Sequence, residues 1–223
     1  MKKISHENNF NYLFVALALL LFLMALLHQV QTSWLNDIIE IVILLVFLLG
    51  VHSLKADRSW MWAVYFMVVL TVVIFMTKNL FDSTAFRAYF HLFILLFFFM
   101  GSFRLSVKQI VMSREIDQNM IVGSIVLYLL LGLVWTIIYL LLLTVYPDAF
   151  NGLESLPWQA NFSRVAYYSF VTLTTLGYGD ISPSNSVSEF FVYSEAIVGV
   201  FYMAIIVSSL VSARLDGFSR GEK

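Results

Sequence analysis

The chain has 223 residues, of which 61% are apolar and only 12% are charged, with a formal net charge of −1. A soluble domain of this length cannot bury so much apolar surface, so the composition predicts an integral membrane protein in a lipid bilayer. The near-zero net charge argues against a nucleic-acid partner, and the lack of cysteine excludes disulfides and thiolate metal sites.

Six apolar runs are long enough, or nearly so, to cross a membrane as helices. They are Phe10–Leu27, Ile38–Leu54, Trp60–Thr77, Ala88–Leu105, Met120–Tyr146 and Val187–Ala213. None of them shows the period-two alternation of a membrane β-barrel strand. The runs therefore predict an all-α membrane protein with six transmembrane helices.

The basic residues predict the topology. With six crossings and a cytoplasmic amino terminus, only Lys78, Arg87 and Arg164 lie outside, and the carboxyl terminus is also cytoplasmic. The other basic residues then lie on the inner side, namely Lys2, Lys3, Lys55, Arg58, Arg104, Lys108, Arg114, Arg214, Arg220 and Lys223. Because only Leu215–Lys223 follow Arg214, we expect no cytoplasmic regulatory domain in the chain.

The first four spans carry no motif that indicates a function. We predict that they form, with a linker, an N-terminal membrane domain over residues 1–118, ahead of a second domain over 119–223. Apolar residues recur with helical spacing at Phe103, Val107, Ile110 and Val111, and basic residues are offset from them. This pattern indicates either an amphipathic linker on the cytoplasmic surface or a solvated connection.

The segment between the fifth and sixth spans has a different composition. All three prolines of the chain lie in Pro147–Ser186, together with the stretch TLTTLGYGD at 172–180. This stretch resembles the T-x-G-Y-G-D selectivity filter of tetrameric potassium channels of the pore-loop superfamily. The resemblance covers roughly Val122–Ala213, which corresponds to the outer helix, pore helix, filter and inner helix of that family. It implies that 119–223 is a pore domain.

The filter can be understood physically. A potassium ion that enters a pore must exchange its water for other oxygens, and backbone carbonyls supply them. Gly177 and Gly179 permit backbone angles that other residues resist. The resemblance implies that the K+ sites are formed by the carbonyls of Thr175, Leu176, Gly177 and Tyr178, with the Thr175 hydroxyl. A ring of four such strands needs four chains, because one chain supplies one strand. We therefore expect a homotetramer, with K+ as the permeant ion and no cofactor.

A re-entrant pore helix is expected before the filter, over about 163–174, with Asn161 or Ser163 as its N-cap. Its carboxyl end would favour a cation through the helix dipole. Thr174, Asp180, Tyr167 and Tyr168 are the expected filter supports: Tyr167 would donate to Asp180, and Tyr168 would pack on or bond to Tyr178. The alternative is that 163–174 is only a re-entrant packing helix. Leu176 replaces the commonest family residue, valine, at a position where the carbonyl acts.

Two residues of the last span carry open alternatives. Glu195 is an intramembrane carboxylate, which is costly, so it either hydrogen-bonds behind the filter or pore helix or lies hydrated near the outer interface. Gly199, one turn later, is either a gating hinge, as the family resemblance implies, or a site of close helix packing.

The fourth span bears on voltage sensing. Ala88–Phe103 contains no Arg or Lys, whereas a voltage sensor needs several within the membrane. We therefore expect a potassium-selective channel with weak or absent voltage dependence. Its six-span plan without a charged fourth span resembles bacterial channels with an extra membrane domain, which predicts a location in the bacterial inner membrane.

Other functions remain possible from the sequence alone. The runner-up is a weakly selective cation channel, and a non-conducting assembly partner is a third possibility. The stretch Gly177-Tyr178-Gly179-Asp180 also matches the G-x-G-D motif of intramembrane aspartyl proteases. Such an enzyme needs a second aspartate within a span, and the sequence offers none, so we predict that the protein is not an enzyme.

Overall fold

The computed structural model describes residues 9–28, 35–53, 58–76, 84–112, 118–154 and 156–208. Within these ranges the chain is mostly helical. The helices are α1 (Asn9–His28), α2 (Leu35–Ser53), α3 (Arg58–Met76), α4 (Thr84–Met112), α5 (Gln118–Val145), α6 (Trp158–Leu173) and α7 (Ser186–Tyr202), which a π-helical segment, Met203–Val207, continues. Two short strands, β1 (Phe150–Asn151) and β2 (Ser182–Pro183), pair antiparallel.

Five of the described helices contain apolar stretches long enough to cross a membrane. These stretches are Phe10–Leu27, Arg58–Met76, Phe86–Ile110, Asn119–Val145 and Ser186–Ile205. A helix, α2, is also present at the predicted second span, and its stretch Ile41–Gly50 is apolar. The prediction of a helical membrane protein is confirmed. The predicted end of the last span, at Ala213, lies outside the described residues.

Helix α4 is longer than the predicted fourth span. It runs without a break for 29 residues, or about 44 Å at 1.5 Å per residue. The predicted linker is therefore, as far as Met112, a continuation of α4 and not a separate element. Phe103 and Ile110 pack against the core while Arg104 and Lys108 are exposed, so the offset of apolar and basic residues is present. Arg114 lies outside the described residues.

Helix α5 is the central element, since it contacts α1, α4, α6 and α7. Two hydrogen bonds fasten earlier helices to it. The backbone N–H of Phe10 donates to Oδ1 of Asn119 over 3.1 Å, and the Tyr89 hydroxyl donates to the Thr144 carbonyl over 3.1 Å. A glycine also allows close approach, because a Cβ at Gly123 would lie 2.8 Å from the Phe10 ring. The first helices are therefore packed directly on the second half of the chain.

The contact between the two halves reaches α6. Helices α1 and α2 both contact α6. In addition, the ring of His91 on α4 lies 6.0 Å from the ring of Trp158, the first residue of α6. The start of α6 is thus packed against helices from the first half of the chain.

Candidate functional site

Helix α6 begins earlier than the sequence predicts. Its first residue is Trp158, and Pro157 occupies the N-cap position without a side-chain hydrogen bond. Proline suits this boundary because its fixed φ leads into a helix and its C=O accepts the first helical bonds, here from Ala160 and Asn161. The prediction of Asn161 or Ser163 as the cap is therefore wrong. Asn161 instead donates through Nδ2 to the Glu154 carbonyl over 2.8 Å, which fastens the preceding loop.

The segment that follows α6 is tied to the last turn of that helix. Thr174 caps the carboxyl end, and its hydroxyl donates to the Phe170 carbonyl over 2.7 Å. The Leu176 N–H donates to the Val171 carbonyl over 2.9 Å. These bonds fix the direction in which residues 175–180 leave the helix.

The backbone of this segment has an alternating conformation. Thr175, Gly177 and Gly179 have positive φ values of 58°, 58° and 77°, whereas Leu176 and Tyr178 between them do not. In an ordinary extended chain, successive peptide groups point to opposite sides. Reversing the sign of φ at every second residue turns the successive carbonyls toward one side. The sequence indicated that Gly177 and Gly179 could adopt positive φ, but nothing in it predicted a positive φ at Thr175.

The same segment is open on the surface of the single chain. Residues 174–180 are all exposed, and a Cβ built at Gly177 or Gly179 would have no heavy atom within 4 Å. Glycine is therefore favoured at these two positions by the positive φ and not by a need for space within the chain.

On the exposed side of α6, Tyr167 contacts Asp180 as the sequence predicts. Its hydroxyl donates to Oδ1 of Asp180 over 3.2 Å. Loss of hydration, and then the hydrogen bond to the Asp180 carboxylate, raise the pKa of Tyr167 above its usual range. The guanidinium of Arg164 lies 6.0 Å from the centre of the Tyr167 ring. The Tyr167 hydroxyl is therefore held as a proton donor to Asp180.

The β1–β2 ribbon ties the segment after α5 to the segment after residue 180. Phe150 pairs with Pro183 and Asn151 pairs with Ser182. Next to it, Gly152 has a φ of 81°, and a Cβ there would lie 2.2 Å from the Asp180 carbonyl oxygen. This ribbon was not predicted, because two-residue strands leave no alternating pattern in a sequence.

Tyr168 points away from residues 175–180 and into the core. Only 5% of it is exposed, and its ring lies 5.4 Å from the rings of both Tyr139 and Phe150. No ring contact joins it to Tyr178 within the described part of the chain, and the expected contact between the two residues stays a prediction. The reason is that successive residues of a helix point in different directions, and Tyr168 follows the buried side of α6. Tyr178 itself is 67% exposed.

Glu195 lies where α5, α6 and α7 meet, and it is fully buried. Its Oε2 accepts a hydrogen bond from the Tyr139 hydroxyl on α5, and its Oε1 lies 2.6 Å from the Ser169 hydroxyl on α6. Of the two positions that the sequence left open, the structure shows the one behind the pore-helix candidate. The sequence did not single out Tyr139 or Ser169, since a lone polar residue within an apolar run names no partner.

Gly199 lies at a close contact between α7 and α6. A Cβ there would lie 2.2 Å from the carbonyl oxygen of Leu173, the last residue of α6. Helix α7 continues through Gly199 and becomes π-helical only at Met203. This geometry is that of the packing alternative, and the role of Gly199 as a hinge stays a prediction.

Comparisons with known proteins found similarity to ion channels. Residues 124–214 match a family model described as ion channel. Two-pore potassium channel 2 of Arabidopsis thaliana is 34% identical over 98 residues, which are 44% of this chain and 20% of that protein. Two pore potassium channel c of Oryza sativa subsp. japonica is 40% identical over 50 residues, 22% of this chain and 11% of that protein.

A third relative, Two-pore potassium channel 3 of Arabidopsis thaliana, is 40% identical over 50 residues, 22% of this chain and 12% of that protein. The chain thus spans a fifth or less of the length of these relatives. No solved structure matches it.

Residues 124–214 are thus similar to an ion-channel family, and these similarities confirm the prediction that the protein is not an enzyme. Together with the five apolar helices, they support an integral membrane protein that resembles pore-loop potassium channels. These three relatives are plant proteins, so the bacterial location stays a prediction. The assignment of K+ sites to residues 175–178 is likewise a prediction.

Proposed function

We propose that the protein is a potassium-selective channel in which four copies of the chain surround one pore. The observation that carries the proposal is the backbone of residues 175–179. Positive φ at Thr175, Gly177 and Gly179 turns successive carbonyls toward one side, on a segment that α6 holds in place. A ring of such strands offers the oxygens that replace the hydration shell of K+. Leu176 and Tyr178 contribute through their carbonyls.

The number of copies follows from the number of strands. The sequence contains one T-x-G-Y-G-D segment, and a ring of four strands then needs four chains. The exposure of Leu176 and Tyr178 in the single chain, 54% and 67%, supports an assembly in which other copies cover this surface. The relatives are named two-pore channels; a chain with two pore segments needs two copies to reach the same count. Contact of Tyr168 with Tyr178 within one chain is not part of this proposal.

Six crossings, with both termini cytoplasmic, are the proposed topology. It is supported by the five long apolar helices and by α2, whose 19 residues reach about 28 Å. It is also supported by the excess of basic residues on the side assigned to the cytoplasm. In this topology α6 enters the membrane from the outside and returns through residues 175–180, as a re-entrant pore helix and filter.

The proposed channel responds weakly or not at all to voltage. Moving a charge through the membrane field supplies the energy for voltage gating, and such charges must lie within the span. Between Ala88 and Phe103, α4 carries no Arg or Lys. In planar bilayer recordings of purified protein, we expect open probability to change little with voltage. A steep dependence would contradict this part of the proposal.

The decisive experiment is ion flux in liposomes that contain the purified full chain. Rubidium uptake driven by a potassium gradient should greatly exceed sodium uptake. Gly177→Ala should abolish the selective flux, because alanine resists the positive φ of residue 177. Leu176→Val is the matched control, since it alters a side chain in the same strand and leaves the carbonyl in place.

Three other results would contradict the proposal. Equal rubidium and sodium flux in the unaltered protein would favour a weakly selective cation channel. Selective flux that survives Gly177→Ala would remove the filter from residues 175–179. An absence of flux in protein that is folded and tetrameric would favour an assembly partner that does not conduct by itself.

A further inference from the structure

The hydroxyls of Tyr139 and Ser169 and the carboxyl of Glu195 form a buried polar cluster, called here the Glu195 triad. It joins three elements, because Tyr139 lies on α5, Ser169 on α6 and Glu195 on α7. Ser169 is only five residues before Thr174, the C-cap of α6. The triad therefore holds α6 near the point from which the filter segment leaves it.

Counting protons in the triad indicates its ionisation state. The Ser169 hydroxyl has one proton, but its Oγ lies 2.8 Å from the Gly132 carbonyl oxygen and 2.6 Å from Oε1 of Glu195. If Glu195 were ionised, both neighbours would be acceptors and would compete for that proton. If Oε1 carries a proton, it donates to Ser169, which then donates to Gly132. Each short contact then has its own proton, including the one from Tyr139 to Oε2.

The surroundings of Glu195 also disfavour a charge. The main contacts of α7 in the described part of the chain are with α5, α6, β2 and the π-helical segment. The titratable groups that face Glu195 are Tyr128 and Tyr139 on α5 and Tyr168 on α6, while β2 has none. Glu195 forms no ion pair with any residue that the structure describes. An unpaired carboxylate in a buried membrane site is costly, whereas a neutral acid with satisfied hydrogen bonds is not.

We propose that Glu195 is held as a neutral carboxylic acid and that the Glu195 triad positions α6 for ion conduction. In this arrangement Glu195, Tyr139 and Ser169 are positioning residues: they hold the pore helix between α5 and α7 and do not touch the ion. Ionisation of Glu195 at alkaline pH places a charge in the triad and removes a proton from its chain of hydrogen bonds. The conduction readout rests on the proposed channel function, but the protonation state does not.

The protonation state is tested by infrared spectroscopy on the full-length protein in detergent or liposomes. The carbonyl stretch of a protonated carboxyl should be present at about pH 7, where an ordinary Glu is ionised. It should disappear in Glu195→Gln, which keeps the size and neutrality of the side chain. Glu189→Gln, on the exposed side of the same helix, is the matched control and should leave the band unchanged. The absence of a band that Glu195→Gln removes would overturn the proposal.

The positioning role is tested by the pH profile of flux. Wild-type flux should fall as the pH rises into the alkaline range, by up to about tenfold per pH unit for a single titrating group. Glu195→Gln should conduct at neutral pH and lose this fall, because its amide donates to Ser169 and its carbonyl accepts from Tyr139. Glu189→Gln should retain the wild-type profile.

Two results would overturn the positioning role. One is an alkaline fall in Glu195→Gln equal to that of wild type, and the other is loss of its flux at neutral pH. If neither wild type nor any variant conducts at any pH, the proposed channel function fails instead. The infrared band then still decides whether Glu195 is neutral.

Discussion

Helices α5 and α7 belong to the same half of the chain, but the chain covers them very differently. In the apolar stretch of α5, 67% is buried within the chain, whereas only 17% is buried in the apolar stretch that begins with α7. The residues that α7 buries are small or polar, namely Ser188, Glu195 and Gly199. Most of its exposed residues are large and apolar, and these include Val187, Phe190, Tyr193, Ile197, Val200 and Phe201.

This arrangement reverses that of a helix in a soluble protein, where the apolar side is covered and the polar side is open. In membranes, small and polar residues bring helices together, and apolar residues meet lipid or other subunits. Helix α5 is therefore covered mainly by its own chain, whereas α7 leaves its apolar side open to lipid or, in the proposed tetramer, to other subunits. Substitutions on the buried and on the exposed side of α7 should therefore have different effects.

The largest effect is expected at Gly199, on the covered side. In Gly199→Ala, the new methyl group would meet the Leu173 carbonyl oxygen at 2.2 Å, and this oxygen belongs to rigid backbone. Overpacking of this kind costs about 1–3 kcal/mol, so the chain should unfold at a lower temperature. The measurement is thermal unfolding of the purified protein in detergent. Ile197→Ala, on the exposed side of the same helix, is the control.

A hinge role for Gly199 predicts a different outcome of that experiment. If the residue serves only to bend α7 during gating, alanine should leave the unfolding temperature unchanged and alter open probability alone. Equal unfolding temperatures for Gly199→Ala and wild type would therefore contradict the packing interpretation.

A smaller effect on the fold, and a larger one on assembly, is expected on the exposed side. Phe201 is 60% exposed in the single chain. Phe201→Ser should leave the helical content unchanged and shift the protein from tetramers to smaller species, since the subunit contact loses an aromatic ring. Light scattering in detergent measures the shift. Val69→Ser on α3, 59% exposed in the single chain, is the control. Unchanged tetramers in Phe201→Ser would mean that lipid, and not another subunit, meets this residue.

Tyr139→Phe tests the hydrogen bond that joins α5 to α7. The substitution keeps the ring against Phe150 and Tyr168 and removes the hydrogen bond to Glu195. Loss of one neutral hydrogen bond costs about 0.5–1.5 kcal/mol, so a modest fall in unfolding temperature is expected. A matched control is Tyr193→Phe, whose ring is exposed. Equal effects of the two substitutions would show that the Glu195 contact does not join α5 to α7.

The sequence predicted this site unevenly, for physical reasons. The proposed filter could be singled out in the sequence because its chemistry needs particular residues at particular spacings, such as Gly177 and Gly179. Five of the helices could be recognised because apolar runs of that length are rare outside membranes. The start of α6 was misplaced because a proline boundary without a side-chain cap leaves a weaker signal than Asn161 does. The partners of Glu195 could not be predicted, because they lie 26 and 56 positions away along the chain.

The smallest effect is expected at Tyr167, which lies on α6, outside both helices of the comparison. Tyr167→Phe removes the hydrogen bond of 3.2 Å to Asp180, at an exposed site where such bonds contribute about 1 kcal/mol or less. Because the pKa of Tyr167 is raised, its hydroxyl stays protonated above the pH at which an ordinary tyrosine ionises. The wild-type contact should therefore persist at alkaline pH. Because Tyr167→Phe lacks this support of Asp180, its rubidium flux should decay faster with time than that of wild type. The ratio of the two decay rates should be the same at neutral and at moderately alkaline pH. A ratio that disappears on raising the pH would mean that Tyr167 has already ionised and that its contact with Asp180 is lost.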